Sequence, residues 1–145
     1  MNGDIYVRDG SRFKKVPNMV GLYYNGITFT KEKMQDTIGV VVDQKYDHLV
    51  VCDIDRSDLK MSWQEAKEYC KNQFDGKGRL PEIEELIISR KYIADYGWFW
   101  SNTEYSSDSD YAWSLYWSNG YVTLNYKSNS GYVRAFLDIP IVNIM

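Results

Sequence analysis

The side chains able to do covalent or acid–base chemistry are few, and their spacing limits what they can do. His48 is the only histidine, so any Ser–His or Cys–His pair has to use it, and no nucleophile-elbow pattern supports such a pair. A lone histidine also cannot build a multi-histidine metal site, and His48 is expected to be structural or solvent-exposed. Cys52 and Cys70, with seventeen residues between them, fit neither a CxxC redox pair nor a zinc ligand set. Two buried free thiols are expected, with a disulfide as the alternative. Glu82, Glu84 and Glu85 could supply paired carboxylates, but they stand where a helix start would favour negative charge anyway. Asp108 and Asp110 alternate as calcium oxygens can, without the glycine and terminal glutamate of an EF-hand loop. Asp53, Asp55 and Asp58 have a similar spacing. No catalytic set, cofactor site or metal site is expected.

Composition points towards contact rather than catalysis. The formal net charge of −3 over 145 residues argues against a nucleic-acid binder, which needs a basic stripe to neutralise phosphates. No apolar run approaches the ~18 residues of a membrane span, so no membrane insertion is expected. MNGDIYVRDG carries no secretory apolar core, and the chain does not look like an exported precursor. Aromatic residues make up 16%, with thirteen Tyr and five Trp. Eight of the tyrosines fall between Tyr92 and Tyr132. Tyr and Trp give rigid amphipathic contact area at low entropic cost, which enriches them in binding surfaces; the plainer account is that they suit half-buried strands.

The elements that must position these residues are strands, then two helices, then strands: an α+β pattern in one domain-sized unit. Asp9-Gly10 and Asn25-Gly26 mark hairpins. Ile38 to Asp43 and His48 to Ile54 are Val-rich buried strands across a short loop. Ser62 and Glu65 form a capping-box pattern, and Trp63, Ala66, Cys70 and Phe74 recur at helical spacing until the glycines at 76 and 78. A second helix is expected from Pro81 at its first position, with Ile83, Leu86 and Ile87 as its packing stripe. Asn102 to Tyr111 is the most polar stretch and is expected to be an exposed loop. YVRAF and IPIVNI close the chain as short strand-like segments, with Arg134 fixing nearby carbonyls or a carboxylate.

In WSNGYVTLNY, Asn119-Gly120 is a strong signal for a two-residue type I′ turn. That turn pairs Trp117 with Val122, Leu115 with Leu124 and Trp113 with Tyr126, giving an inward apolar face. The opposite face then carries Ser114, Tyr116, Tyr121, Thr123 and Asn125. Trp113 and Trp117 are assigned to the core, and losing Trp113 is expected to cost about 3 to 5 kcal/mol.

The ordered series KMSWQEAKEYC, GRLPEIEEL, WFWSNTEYSSDSDYAW, WSNGYV and YVRAF resembles the Lcl C-terminal-type domain, a bacterial family with a C-type-lectin-like fold. RLP-x-x-x-E-L also looks like the matching segment of the formylglycine-generating-enzyme-type relatives. The resemblance covers roughly residues 48 to 136. It implies two helices packed on short, mostly antiparallel sheets for 48–145, with residues 1–47 as a strand-rich lead-in packed on the same domain. It further implies a recognition surface at the C-terminal end, on a cell surface, a secreted protein or a phage particle. Some relatives are variable proteins of diversity-generating retroelements; Asn102, Tyr105, Ser107, Asp108, Asp110, Ser114, Tyr116, Tyr121, Thr123, Asn125, Ser128 and Asn129 stand where diversification would act. The sugar-binding calcium motifs of related lectins are missing, and neither cysteine matches the active-site pair of the formylglycine enzymes. The expected function is therefore non-enzymatic recognition of a protein or cell-surface glycan. The alternatives are an assembly module of a phage particle or cell envelope, and an unusual oxidase-like enzyme; the oligomeric state is open.

Overall fold

A computed structural model describes residues 5–9 and 12–144. The strands are β1 (Ile5–Asp9), β2 (Arg12–Val16), β3 (Tyr23–Tyr24), β4 (Phe29–Thr30), β5 (Gly39–Gln44), β6 (His48–Asp53), β7 (Trp98–Glu104), β8 (Tyr111–Tyr116), β9 (Val122–Tyr126) and β10 (Phe136–Pro140). Two helices, α1 (Trp63–Lys71) and α2 (Ile83–Ser89), separate β6 from β7, and a 3₁₀ turn (Ile141–Ile144) follows β10. The class is α+β with antiparallel sheets, as the element pattern of the sequence leads one to expect. β1 pairs with β2; Gly10 of the expected turn lies outside the described residues.

The larger sheet runs β10-β6-β5-β3-β4. Its Val-rich centre is covered on both sides, which is why GVVVD and LVVC read as continuous apolar runs rather than alternating ones. One side, with Val40, Val42, Val50, Cys52 and Phe136, packs on Ile83 and Leu86 of α2 and on Phe99, Leu115 and Trp117. The other, with Val41, Leu49, Val51, Leu137 and Ile139, packs on Val16, Met19, Leu22 and Ile141. A bulge at Val42 shifts the β5–β6 register between Val41 and Asp43. β3 and β4 form the expected hairpin across Asn25-Gly26, with Gly26 at φ 98°. Both cysteines are free and buried.

The capping box at α1 is formed: the Ser62 hydroxyl accepts from the Glu65 N–H at 3.3 Å and the Glu65 carboxylate accepts from the Ser62 N–H at 2.9 Å. The helix ends earlier than its periodicity implies. Asn72 is the C-cap, and Phe74 and Asp75 take left-handed conformations at φ 53° and 56°. Phe74 thereby leaves the helix and reaches both the α1-side and outer-sheet clusters. α2 also starts later: Glu82 is the N-cap, bonded reciprocally with Glu85, so Pro81 precedes the helix rather than opening it. Ile83 and Leu86 are buried as expected, but Ile87 is exposed.

The smaller sheet runs β7-β8-β9. Phe99 and Leu115 meet α2 on one side, while Trp100 and Ala112 meet Trp63, Ala66 and Cys70 of α1 on the other. The three deeply buried indoles each have an acceptor. Trp63 donates to the Ser101 carbonyl, Trp100 to that of Met61 and Trp117 to that of Ile93, at 2.9, 2.9 and 2.7 Å. β7 runs on to Glu104, so only Tyr105 to Asp110 of the expected polar loop is loop. Of YVRAF, only Phe136 is in a strand; Arg134 is turned inward instead.

Candidate functional site

The β8–β9 ribbon differs in register from the two-residue-turn expectation. Trp113 pairs with Leu124, Ser114 with Thr123, and Leu115 with Val122, a shift of two along β9. Trp117 to Gly120 form a four-residue connection in which the Gly120 N–H donates to the Tyr116 carbonyl at 2.8 Å. Gly120 alone of the central pair takes positive φ, at 79°, so the type I′ turn does not form. The cause is Trp117: its indole is buried and held by Ile93, and its backbone N–H is tied to Gly97 at 2.9 Å, which withdraws it from the strand.

A shift of two keeps the alternation within each strand, but the sidedness is not the one drawn from the sequence. The hydroxyl-and-amide face is covered where it meets α1. Ser114 is fully buried, contrary to its expected display, because Ala112 and Ser114 face the Trp63–Trp100 layer. Its hydroxyl donates to the Thr123 carbonyl at 3.1 Å and accepts from the Asn125 amide at 2.6 Å, with Asn129 reaching Asn125 at 3.5 Å. Thr123 and Asn125 are half-buried in this network. Only Tyr116 and Tyr121, at the turn end, are well exposed on that side. Asn102 is withdrawn too. Its backbone N–H donates to the Pro81 carbonyl at 2.7 Å and its side chain to Glu82 at 3.1 Å, anchoring β7 to the start of α2.

Of the face expected to point inward, Leu115 and Trp117 are buried as expected, but its outer part, with Tyr126 and Val122, is open. Tyr111 and Tyr126 lie opposite each other with ring centroids 4.3 Å apart. Tyr105 comes over from the loop, meeting Tyr111 edge-on at 6.4 Å and Trp113 at 5.9 Å. Leu124 continues the row as the partner of Trp113, and Val122 as the partner of Leu115. Tyr126 is 52% exposed and Val122 38%. Ser107, Asp108 and Asp110 are exposed on the loop beside this row, and Ser128 and Asn129 on the turn after β9. Alternation by itself could not find this surface. The usable signal was the smallness of Ala112 and Ser114, which lets indoles approach that side closely.

Electrostatically the row is quiet at neutral pH. The Tyr111 phenol is pushed up to about 12, mainly by its bond with the Tyr126 hydroxyl and then by desolvation and the carboxylates of Asp108 and Asp110. Lys127, one residue beyond β9, is tied to Glu104 at 2.5 Å and lies over the Trp63 ring.

The remaining polar groups mostly hold the scaffold. Arg134, 2% exposed, donates to the Asp53 and Ile54 carbonyls at 2.9 Å each and pairs with Asp95. Arg56 completes that cluster, 3.3 Å from Asp95 and stacked 3.9 Å over the Tyr132 ring. Arg79 is bidentate to both Glu85 and Asp138, so Glu85 serves an ion pair as well as the helix start. His48 lies against Asp47 at 2.6 Å. Burial pushes the Cys52 thiol up to about 12 and raises that of Cys70 too; thiolate, the reactive form, is scarce in such groups at neutral pH. A cleft of about 450 Å³ beside α1 is lined by Asp53, Asp55, Asp58, Tyr69 and Gln73 among others.

In comparisons with known proteins, no family model matches this chain and no curated protein matches it.

Proposed function

We propose that the chain is a non-enzymatic recognition domain that grips a protein or a cell-surface glycan with the ring-bearing face of its β8–β9 ribbon. The observation that carries this reading is the row of contacting rings on one side of the sheet, with Tyr105, Tyr111 and Trp113 half-buried and Tyr126 exposed, and with no charged side chain within the row. Interlocked rings are already ordered, so a ligand laid on them costs little further side-chain entropy. Flat ring faces suit the apolar faces of sugars and side chains alike, while the phenol hydroxyls at the rim supply hydrogen bonds.

The resemblance to the Lcl C-terminal-type domains, with its implied C-type-lectin-like fold and C-terminal binding surface, supports the same end of the molecule. Ser107, Asp108, Asp110, Tyr116, Tyr121, Ser128 and Asn129 are the exposed positions at which diversification would alter a ligand contact; Ser114 and Asn102 would alter the scaffold. The raised thiols and the engaged His48 favour recognition over thiol or acid–base catalysis.

The test is an unbiased screen of glycans and bacterial surfaces with the purified chain, followed by Tyr126→Ala and Tyr121→Ala on whatever binds. Tyr126→Ala is expected to weaken binding by about tenfold or more if Tyr126 is a hot spot, with Tyr121→Ala reporting on the opposite face. Two folded variants that both bind as the parent does would remove the ribbon from the site.

A further inference from the structure

A different property of the same ribbon concerns its edge rather than its faces. In the β8–β9 ladder the residues bonded to β8 alternate: the Tyr116 N–H donates to the Tyr121 carbonyl, and the Lys127 N–H donates to the Asp110 carbonyl. The N–H and C=O groups of Val122, Leu124 and Tyr126 therefore point away from β8, and among the described residues only the Tyr126 carbonyl is engaged, by the Asn129 N–H. Edges of this kind are normally blunted by brevity, charge, proline or a covering segment, and the other edges of the two larger sheets are. β4 is two residues long and runs into Lys31. β10 is bridged by Arg79 and carries Asp138 and Pro140. β7 is covered by Tyr132 and Pro81. β9, VTLNY, is five residues long with no charge or proline of its own, and Lys127 just after it is tied to Glu104.

We propose that β9 is a self-association edge, pairing antiparallel with β9 of a second copy of this chain about a two-fold axis at Leu124. Charge complementarity selects that occupant. Arg90 sits at the turn end of the ribbon, bonded to the Trp117 and Ser118 carbonyls, and among the described residues no carboxylate pairs with it. Asp108 and Asp110 stand at the opposite end, likewise without a cationic partner among the described residues. Antiparallel pairing brings the basic end of one copy alongside the acidic end of the other, at both ends at once. The same register sets Val122 across from Tyr126 of the partner and Leu124 across from itself, so the cross-strand contacts are aromatic–β-branched and aliphatic, the favourable kinds. The two three-stranded sheets become one, and their ring-bearing faces line up on the same side.

The experiment measures mass by light scattering on the ligand-free chain, from about 1 µM to about 1 mM, with amide exchange as a second readout. A monomer–dimer equilibrium is expected, with the Val122, Leu124 and Tyr126 amides gaining protection as concentration rises. Val122→Lys with Tyr126→Lys sets like charges opposite each other across the axis and should weaken association by about a hundredfold. Val122→Lys with Tyr126→Glu should restore it, since the two positions meet only between copies. A parent chain that stays monomeric throughout, or a Lys/Lys variant that dimerises as well as the parent, overturns the proposal; such an edge would then be solvated or reserved for another protein's strand. Failure of the Lys/Glu variant to recover overturns the Leu124-centred register. Because no ligand is present, none of these outcomes bears on the recognition reading.

Discussion

At the scale of single residues, Asp53 shows how burial and bonding compete. It ends β6 beside Arg134 and accepts from the Asp55 N–H at 2.9 Å, yet desolvation dominates and lifts its carboxyl from 3.8 to about 6. The folded chain thus holds this proton more tightly than the unfolded chain does. The resulting stabilisation is full below the unfolded value and is lost as pH rises through the folded one. Asp53→Asn keeps an acceptor for Asp55 without the charge. The variant should therefore be more stable than the parent at pH 7 to 8, by on the order of 1 kcal/mol after allowing for partial solvent screening. That gain should vanish below about pH 4. Melting curves across this range check it, and a difference that ignores pH would show that the carboxyl is not desolvated.

At the scale of elements, the two tryptophans of the ribbon, both assigned to the core from the sequence, differ: Trp117 is buried and Trp113 is half-exposed. Trp117, assigned from the sequence to a strand, is the buried plug of the β8–β9 connection and packs edge-on to Phe99 at 4.9 Å. Trp113, expected to be core, is half-exposed beneath Tyr105. Trp117→Ala should cost about 3 to 5 kcal/mol in urea unfolding, and Trp113→Ala clearly less. Equal losses would mean that the connection is not held by its indole. The capping box and the Val-rich strands were legible because their signals are local: a bond spanning three residues, and a run buried whichever way it faces. The end of α1 was not, because the helical period of Phe74 is satisfied equally well by a side chain that leaves the helix to join two clusters.

Across the whole molecule, Arg134 joins segments that are far apart in the chain. It links the end of β6, the loop carrying Asp95, and the rings of Trp117 and Phe99, 4.8 and 5.6 Å from its guanidinium carbon. A lysine keeps the charge but cannot present the planar fork that meets two carbonyls and a carboxylate together. Arg134→Lys and Arg134→Met should both destabilise, by roughly 2 to 4 kcal/mol, since each leaves the Asp95 carboxylate poorly paired in a mostly buried setting. Both sheets should then melt earlier in one transition. Loss of the smaller sheet alone, followed by separate melting of the β5–β6 sheet, would show that Arg134 does not couple them.

By itself the sequence determined the class, the capped start of α1, the Val-rich sheet centre, the free buried thiols and the anchoring role of Arg134. Each rests on a local bond or on a composition that only one environment satisfies. Tertiary structure alone decided the register of β8 against β9, the start of α2, the burial of Ser114, the tethering of Asn102 and which part of the ribbon stays open. A period of two separates the sides of a strand without saying which is covered. Here α1 and its Trp63 indole close over the hydroxyl side, while α2 covers only the Leu115 end of the other and leaves Tyr126 exposed with Tyr105 and Tyr111 half-buried beside it.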